Sequence, residues 1–222
     1  MTGETRTDRR KAVWGAVVII GVALLALTAA GCGRTLEGDA SSYLIVDRLE
    51  AASGAEPELF STVLHSDVVT IVDGQDAQGN EVRVPTVFSD PARVTLRLAM
   101  KDPGTAGSPV LPTPNNFITV NRYRVSFTRA DGRNTPGVDV PHPWDGTVTF
   151  TVNTQVTTFP FLLVRHQTKE EAPLAALANG GGANLITTLA DITFYGQDQT
   201  GRDVSVSTTM TVIFGNFGDP ES

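Results

Sequence analysis

The chain has 222 residues, 17 basic and 24 acidic side chains, a net charge of −7 and a single cysteine. Such an acidic balance is unsuited to nonspecific nucleic-acid binding, which depends on lysine and arginine neutralising phosphates. One cysteine rules out an intramolecular disulfide framework, so stability must come from a buried core, for which the length is ample.

Arg6, Arg9, Arg10 and Lys11 form a basic start, residues 12–30 carry no charge, and Ala29-Ala30-Gly31 leads into Cys32. A basic region, an apolar run and small residues before a cut are the three parts of a secretory signal. About 20 apolar residues can also cross a bilayer as an uncleaved helix. Both arrangements tether the rest of the chain at its amino-terminal end. Residues 1–31 hold four of the 17 basic and two of the 24 acidic side chains, so the remainder carries a net charge of −9.

The small-residue approach to Cys32 resembles the lipobox of bacterial lipoproteins. That resemblance implies cleavage before Cys32, acylation of its thiol and new amino terminus, and a lipid-anchored location in the bacterial envelope. Leucine commonly stands three places before the lipobox cysteine, where this chain has Ala29 and carries Leu27 further upstream. Gly33 follows where some bacteria use aspartate to retain lipoproteins in the inner membrane, so the likeness points to the outer membrane.

Residues 33–41 are polar and contain glycine, the composition of a spacer. From Ser42 onward the apolar period is two rather than 3.6. Val94, Leu96, Leu98 and Met100 alternate with Thr95, Arg97 and Lys101, predicting a strand buried on one face and wet on the other. The same alternation marks 148–152 and 204–214. Further strands are expected at 43–49, 67–72, 81–88, 159–164 and 190–195. Over 118–127 the apolar parity switches across Asn121-Arg122, which predicts a β-bulge there.

Thr168 is expected to cap one short helix running through Leu177, before the glycines at 180–182, in a crossover between sheets. Residues 74–84 echo 196–206, as duplicated half-domains or as two hairpins sharing turn chemistry. The predicted architecture is all-β: an antiparallel two-sheet sandwich over 42–217, preceded by a signal helix at 1–31 and an acylated spacer at 32–41, with a tail at 218–222. Its strand rhythm resembles immunoglobulin-like and fibronectin-type-III-like domains. Residues 121–146 resemble segments of uncharacterised bacterial envelope lipoproteins, a likeness that implies no activity.

His65, His142 and His166 stand at no zinc spacing, and no Gly-x-Ser-x-Gly elbow is present, so neither a metal, a cofactor nor catalysis is expected. The acidic turns at 73–76 and 198–203 are either hairpin tips or calcium ligands, without EF-hand spacing. Trp144, beside His142 in a proline-bounded segment, either closes one end of the core or meets a sugar or protein partner. Loop 102–114 is a partner-gripping segment or a flexible insertion. Arg122 and Arg124 form an anion site or a salt-bridged sheet face. These features together predict a noncatalytic binding or scaffolding module with a protein partner in the envelope. A carbohydrate-binding module is the alternative, and an envelope enzyme with a site assembled only in three dimensions the second.

Overall fold

The computed structural model describes residues 39–179 and 184–217. The expected signal segment, Cys32 and the tail at 218–222 lie outside them. The described residues belong to one compact unit. Among them no helix is long and apolar enough to cross a membrane.

Two sheets face each other. One takes β1 (Ser42–Ala51), β5 (Asp90–Met100) and β10 (Thr157–Val164) in the order β1-β5-β10. The other takes β2 (Val63–Asp67), β8 (Ile118–Thr128), β9 (Trp144–Val152), β11 (Ile186–Asp198) and β12 (Asp203–Gly215) in the order β2-β12-β11-β8-β9. Every neighbouring pair is antiparallel except β2 with β12. β2 is parallel because the chain leaves β1 in one sheet and returns through 52–62 to the edge of the other. Two ribbons stand outside both sheets: β3 (Thr70–Gln75) with β4 (Glu81–Thr86), and the very short β6 (Gly104–Thr105) with β7 (Ser108–Pro109) inside loop 102–114.

The alternation read from the sequence is the alternation of burial. Val94 and Leu96 are fully buried while Arg97 is exposed. Phe161 meets Tyr123 and Phe194 across the sheet interface, and Leu163, Val212 and Phe214 belong to the same buried core. Phe161 approaches Phe194 edge-on at 5.2 Å between centroids, a favoured arrangement for ring quadrupoles.

The expected bulge in β8 is present. Register shifts between Val120 and Arg122 against β9, and between Tyr195 and Gly196 against β11. Ile118 and Val120 point inward before it, and Tyr123, Val125 and Phe127 after it. A Cβ on Gly196 would lie 2.3 Å from the Thr119 carbonyl oxygen, so only glycine lets β11 follow the bulge.

The helix differs from expectation. α1 (His166–Glu170) is followed by a 3₁₀ turn at Leu174–Asn179, and Arg165, not Thr168, occupies the N-cap. Ser89 explains the shift: its Oγ accepts the His166 N–H at 2.9 Å, so the cap comes from outside the helix. Thr168 is therefore free to sit buried within the helix. Strand limits also move. Trp144 opens β9, and the run expected at 67–72 divides into the end of β2 and the start of β3.

The echo between 74–84 and 196–206 is turn chemistry. Asp76 Oδ1 accepts the N–H groups of Gln78 and Asn80, and Asp198 Oδ1 those of Thr200 and Arg202. Gly79 and Gly201 each adopt φ of 83°, the left-handed conformation that glycine accepts without steric cost. The Oδ1 of each carboxylate is thus committed to N–H donors of its own turn, while Asp198 Oδ2 is buried without a hydrogen-bond partner among the described residues. Burial pushes the Asp198 carboxyl up, but the Thr200 hydroxyl and the Arg202 and Thr200 N–H groups outweigh it and hold the group below its ordinary range.

With the native pKa below the unfolded one, the unfolded chain takes up the proton first, so Asp198 stabilises the fold above about pH 4 and loses that effect as pH falls through its native value. Urea unfolding between neutral and acid pH should accordingly show a shallower acid loss for Asp198→Asn than for the unsubstituted protein.

Candidate functional site

Aligned strands give the sandwich two distinct ends. At one, Ser42 opens β1, and its Oγ donates to the Asn116 carbonyl at 2.7 Å, just before β8 begins. Loop 102–114 lies at this end and exposes Leu111 by 72%. At the other end β2 finishes, β5 begins, and the β3–β4 ribbon leaves the body between them.

A charged cluster is sealed beneath the ribbon. Lys169 Nζ, on α1, donates to Asp90 Oδ1 at 2.7 Å and to the Asp67 carbonyl at 2.8 Å. Asp90 Oδ1 also accepts the Gly54 N–H at 2.8 Å, and Asp90 Oδ2 accepts the Ser66 hydroxyl at 2.5 Å. The Lys169 and Asp90 side chains are 1% and 0% exposed. Burial drives the Asp90 carboxyl above its ordinary range against the attraction of Lys169 and the hydrogen bonds of Lys169, Ser66 and Gly54. Five segments meet here: the loop after β1, the end of β2, the start of β3, the start of β5 and α1. Asp67 extends the cluster, its carboxylate accepting Thr70 Oγ1 at 2.7 Å and the Phe217 N–H at 3.1 Å.

The ribbon above it is amphipathic. Val72 pairs with Val84 and Gly74 with Val82, which sets the three valines on one face. Asp73 opposite Arg83 and Gln75 opposite Glu81 occupy the outer part of the other face, with Ile71 opposite Pro85 at its root. Val84 is 41% exposed. An open hollow of about 760 Å³ runs along the tip, lined by Asp73, Gly74, Gln75, Glu81, Val82 and Arg83.

A second concavity, of about 320 Å³, lies over the β8 bulge, where Asn121, Arg122, Tyr195, Gln197, Asp203 and Ser205 converge. The Arg122 guanidinium stacks 4.1 Å from the Tyr195 ring centroid. Arg122 and Arg124 both bind Asp145, at 3.2 and 2.8 Å, so these arginines form a salt-bridged sheet face.

Trp144 is 7% exposed. Tyr123 packs against its ring at 5.4 Å and the Arg165 guanidinium at 4.6 Å, so it closes the core rather than offering a platform. His142 is exposed and lies over Gly137, where a Cβ would come within 2.3 Å of its Nε2. Trp144 and His142 are close in sequence but form no shared surface. Among the described residues no three His, Cys, Asp or Glu side chains are grouped to hold a metal ion. Asp90, Ser66 and Lys169 were not singled out by the sequence. Asp90 precedes Pro91 and reads as a loop residue, and Lys169 precedes Glu170-Glu171 and reads as a solvated helix face.

Comparison with family models, curated proteins and solved structures finds no match.

Removing one partner of a buried ion pair leaves an uncompensated charge and costs about 3–5 kcal/mol. Lys169→Met should lose stability on this scale in chemical denaturation.

Proposed function

We propose that the protein is a lipid-anchored, noncatalytic module of the bacterial envelope that binds a partner protein through the end of the sandwich opposite its anchored amino terminus. Cys32 is the attachment point, and the spacer between lipid and fold is shorter than the 33–41 expected, because Ala40 is buried in the core and the Ser41 carbonyl accepts the Lys101 N–H at 3.0 Å. The observation that carries the reading is the β3–β4 ribbon. It belongs to neither main sheet, carries Val72, Val82 and Val84 on one face, and stands at the end away from Ser42. A two-stranded hairpin is at best marginally stable alone in water and gains from an apolar cover. Amphipathic ribbons of this kind are suited to docking against a complementary apolar surface.

Carbohydrate binding is the second reading, favoured by the polar groove around Arg122 and Tyr195 rather than by Trp144. A glycan array probed with residues 33–222 distinguishes the two: hits abolished by Tyr195→Ala support the carbohydrate reading.

For the anchor, Cys32→Ser should abolish incorporation of labelled fatty acid and release the protein from membranes; unchanged retention favours an uncleaved helix. For the binding end, Val82→Ser with Val84→Ser should lose the crosslinked partner recovered from intact cells while the circular dichroism spectrum stays that of the parent. A partner retained by the doubly substituted ribbon would sink the assignment of that surface.

A further inference from the structure

We infer that Lys169 and Asp90 become joined by an intramolecular amide, Lys169 Nζ to Asp90 Cγ, tying α1 covalently to the first residue of β5. The reacting groups are already in contact: Nζ lies 2.7 Å from Oδ1, across 79 residues of sequence. The packing that buries both side chains fixes their mutual orientation, which turns an improbable encounter into a unimolecular step. It also keeps out the bulk water that would otherwise solvate the charges and reverse the condensation.

The ion pair is poorly provided for where it stands. An ammonium has three N–H donors, and among the described residues only the Asp67 carbonyl and Asp90 Oδ1 accept from Lys169. Isolated or incompletely compensated charge is expensive in such surroundings, and the same burial raises the Asp90 carboxyl toward its neutral form.

Condensation balances within the pair. One proton passes from Nζ to Oδ1 along their hydrogen bond, giving an amine and a carboxylic acid. The nitrogen lone pair then attacks Cγ, and negative charge develops on Oδ2, which the Ser66 hydroxyl contacts at 2.5 Å. A donor already aimed at that oxygen stabilises the charge without reorganisation. The C–N bond forms, the Cγ–Oδ1 bond breaks, and Oδ1 departs as water carrying two of the three Nζ protons. No electrons are gained or lost, and no co-reactant is needed.

The product suits the site better than the ions do. The proton left on the amide nitrogen faces the Asp67 carbonyl, and the amide oxygen faces Ser66 Oγ, so both polar groups of the link inherit existing partners. The Gly54 N–H, which now binds Oδ1, faces the water that is released. Two buried charges are replaced by one neutral amide.

The test is tryptic digestion of the purified, denatured full chain with mass spectrometry, which reads the link whatever the state of the amino terminus. Peptide 84–93, containing Asp90, should appear joined to peptide 166–202, containing Lys169, at about 18 Da below their combined mass, the loss of one water. Lys169→Arg should return 84–93 as a free linear peptide. Recovery of 84–93 from the unsubstituted protein wholly at its linear mass overturns the inference, and that measurement does not depend on any variant folding.

Discussion

A lysine and an aspartate sealed from water at one end of a β-sandwich constrain everything around them. Desolvating each charge costs several kcal/mol, and their attraction offsets this only while the geometry and the supporting hydrogen bonds are complete. Holding the pair here requires Gly54, Ser66, Asp67, Asp90 and Lys169 to arrive together. The cluster therefore acts as a condition on folding. Neither the loop after β1, nor the end of β2, nor α1 can shift without stranding a charge. It also fixes the roots of the β3–β4 ribbon, because the chain leaves the cluster at Asp67 and returns to it at Asp90.

Much of the sandwich was legible because its physics is local. Burial on one side of a strand demands a period of two, and Val94-Thr95-Leu96-Arg97 shows that period without reference to any partner strand. The bulge in β8 was legible for the same reason: a parity change within one strand has to be absorbed by an extra residue, and Asn121 is that residue. The repeated Asp and Gly turns were legible as hairpins, since an Asx side chain and a left-handed glycine close a turn without help from elsewhere.

What was hidden depends on contacts between distant segments. Lys169 reads as a solvated helix residue because its neighbours are acidic, and nothing near it announces an acceptor 79 residues away. The sequence offers Thr168 as the cap of α1, whereas the acceptor, Ser89, lies in the segment before β5, out of reach of any local reading. β2 was missed as a separate strand for a related reason. Its five residues pair parallel to β12 at a sheet edge, and a short edge strand carries too few alternations to stand out. The sequence leaves Trp144 between core and surface, and its packing against Tyr123 and Arg165 decides for the core.

The two ends of the molecule also differ in how they are held, and this bears on how an anchored binding module would work. In the proposed anchored module, tension between the anchor and a partner on the ribbon would enter at β1 and leave through β2 and β3. β1 is held by the ladder to β5 and β2 by the parallel ladder to β12, both loaded along their length, so several hydrogen bonds share the force. The remaining step, from β2 into the ribbon, has no long ladder to the body. That step is where Ser66 and Asp67 are fixed to Asp90 and Lys169. The costly burial of charge thus falls at the one junction where sheet hydrogen bonding cannot resist the load, which gives a mechanical reason for a strong link there.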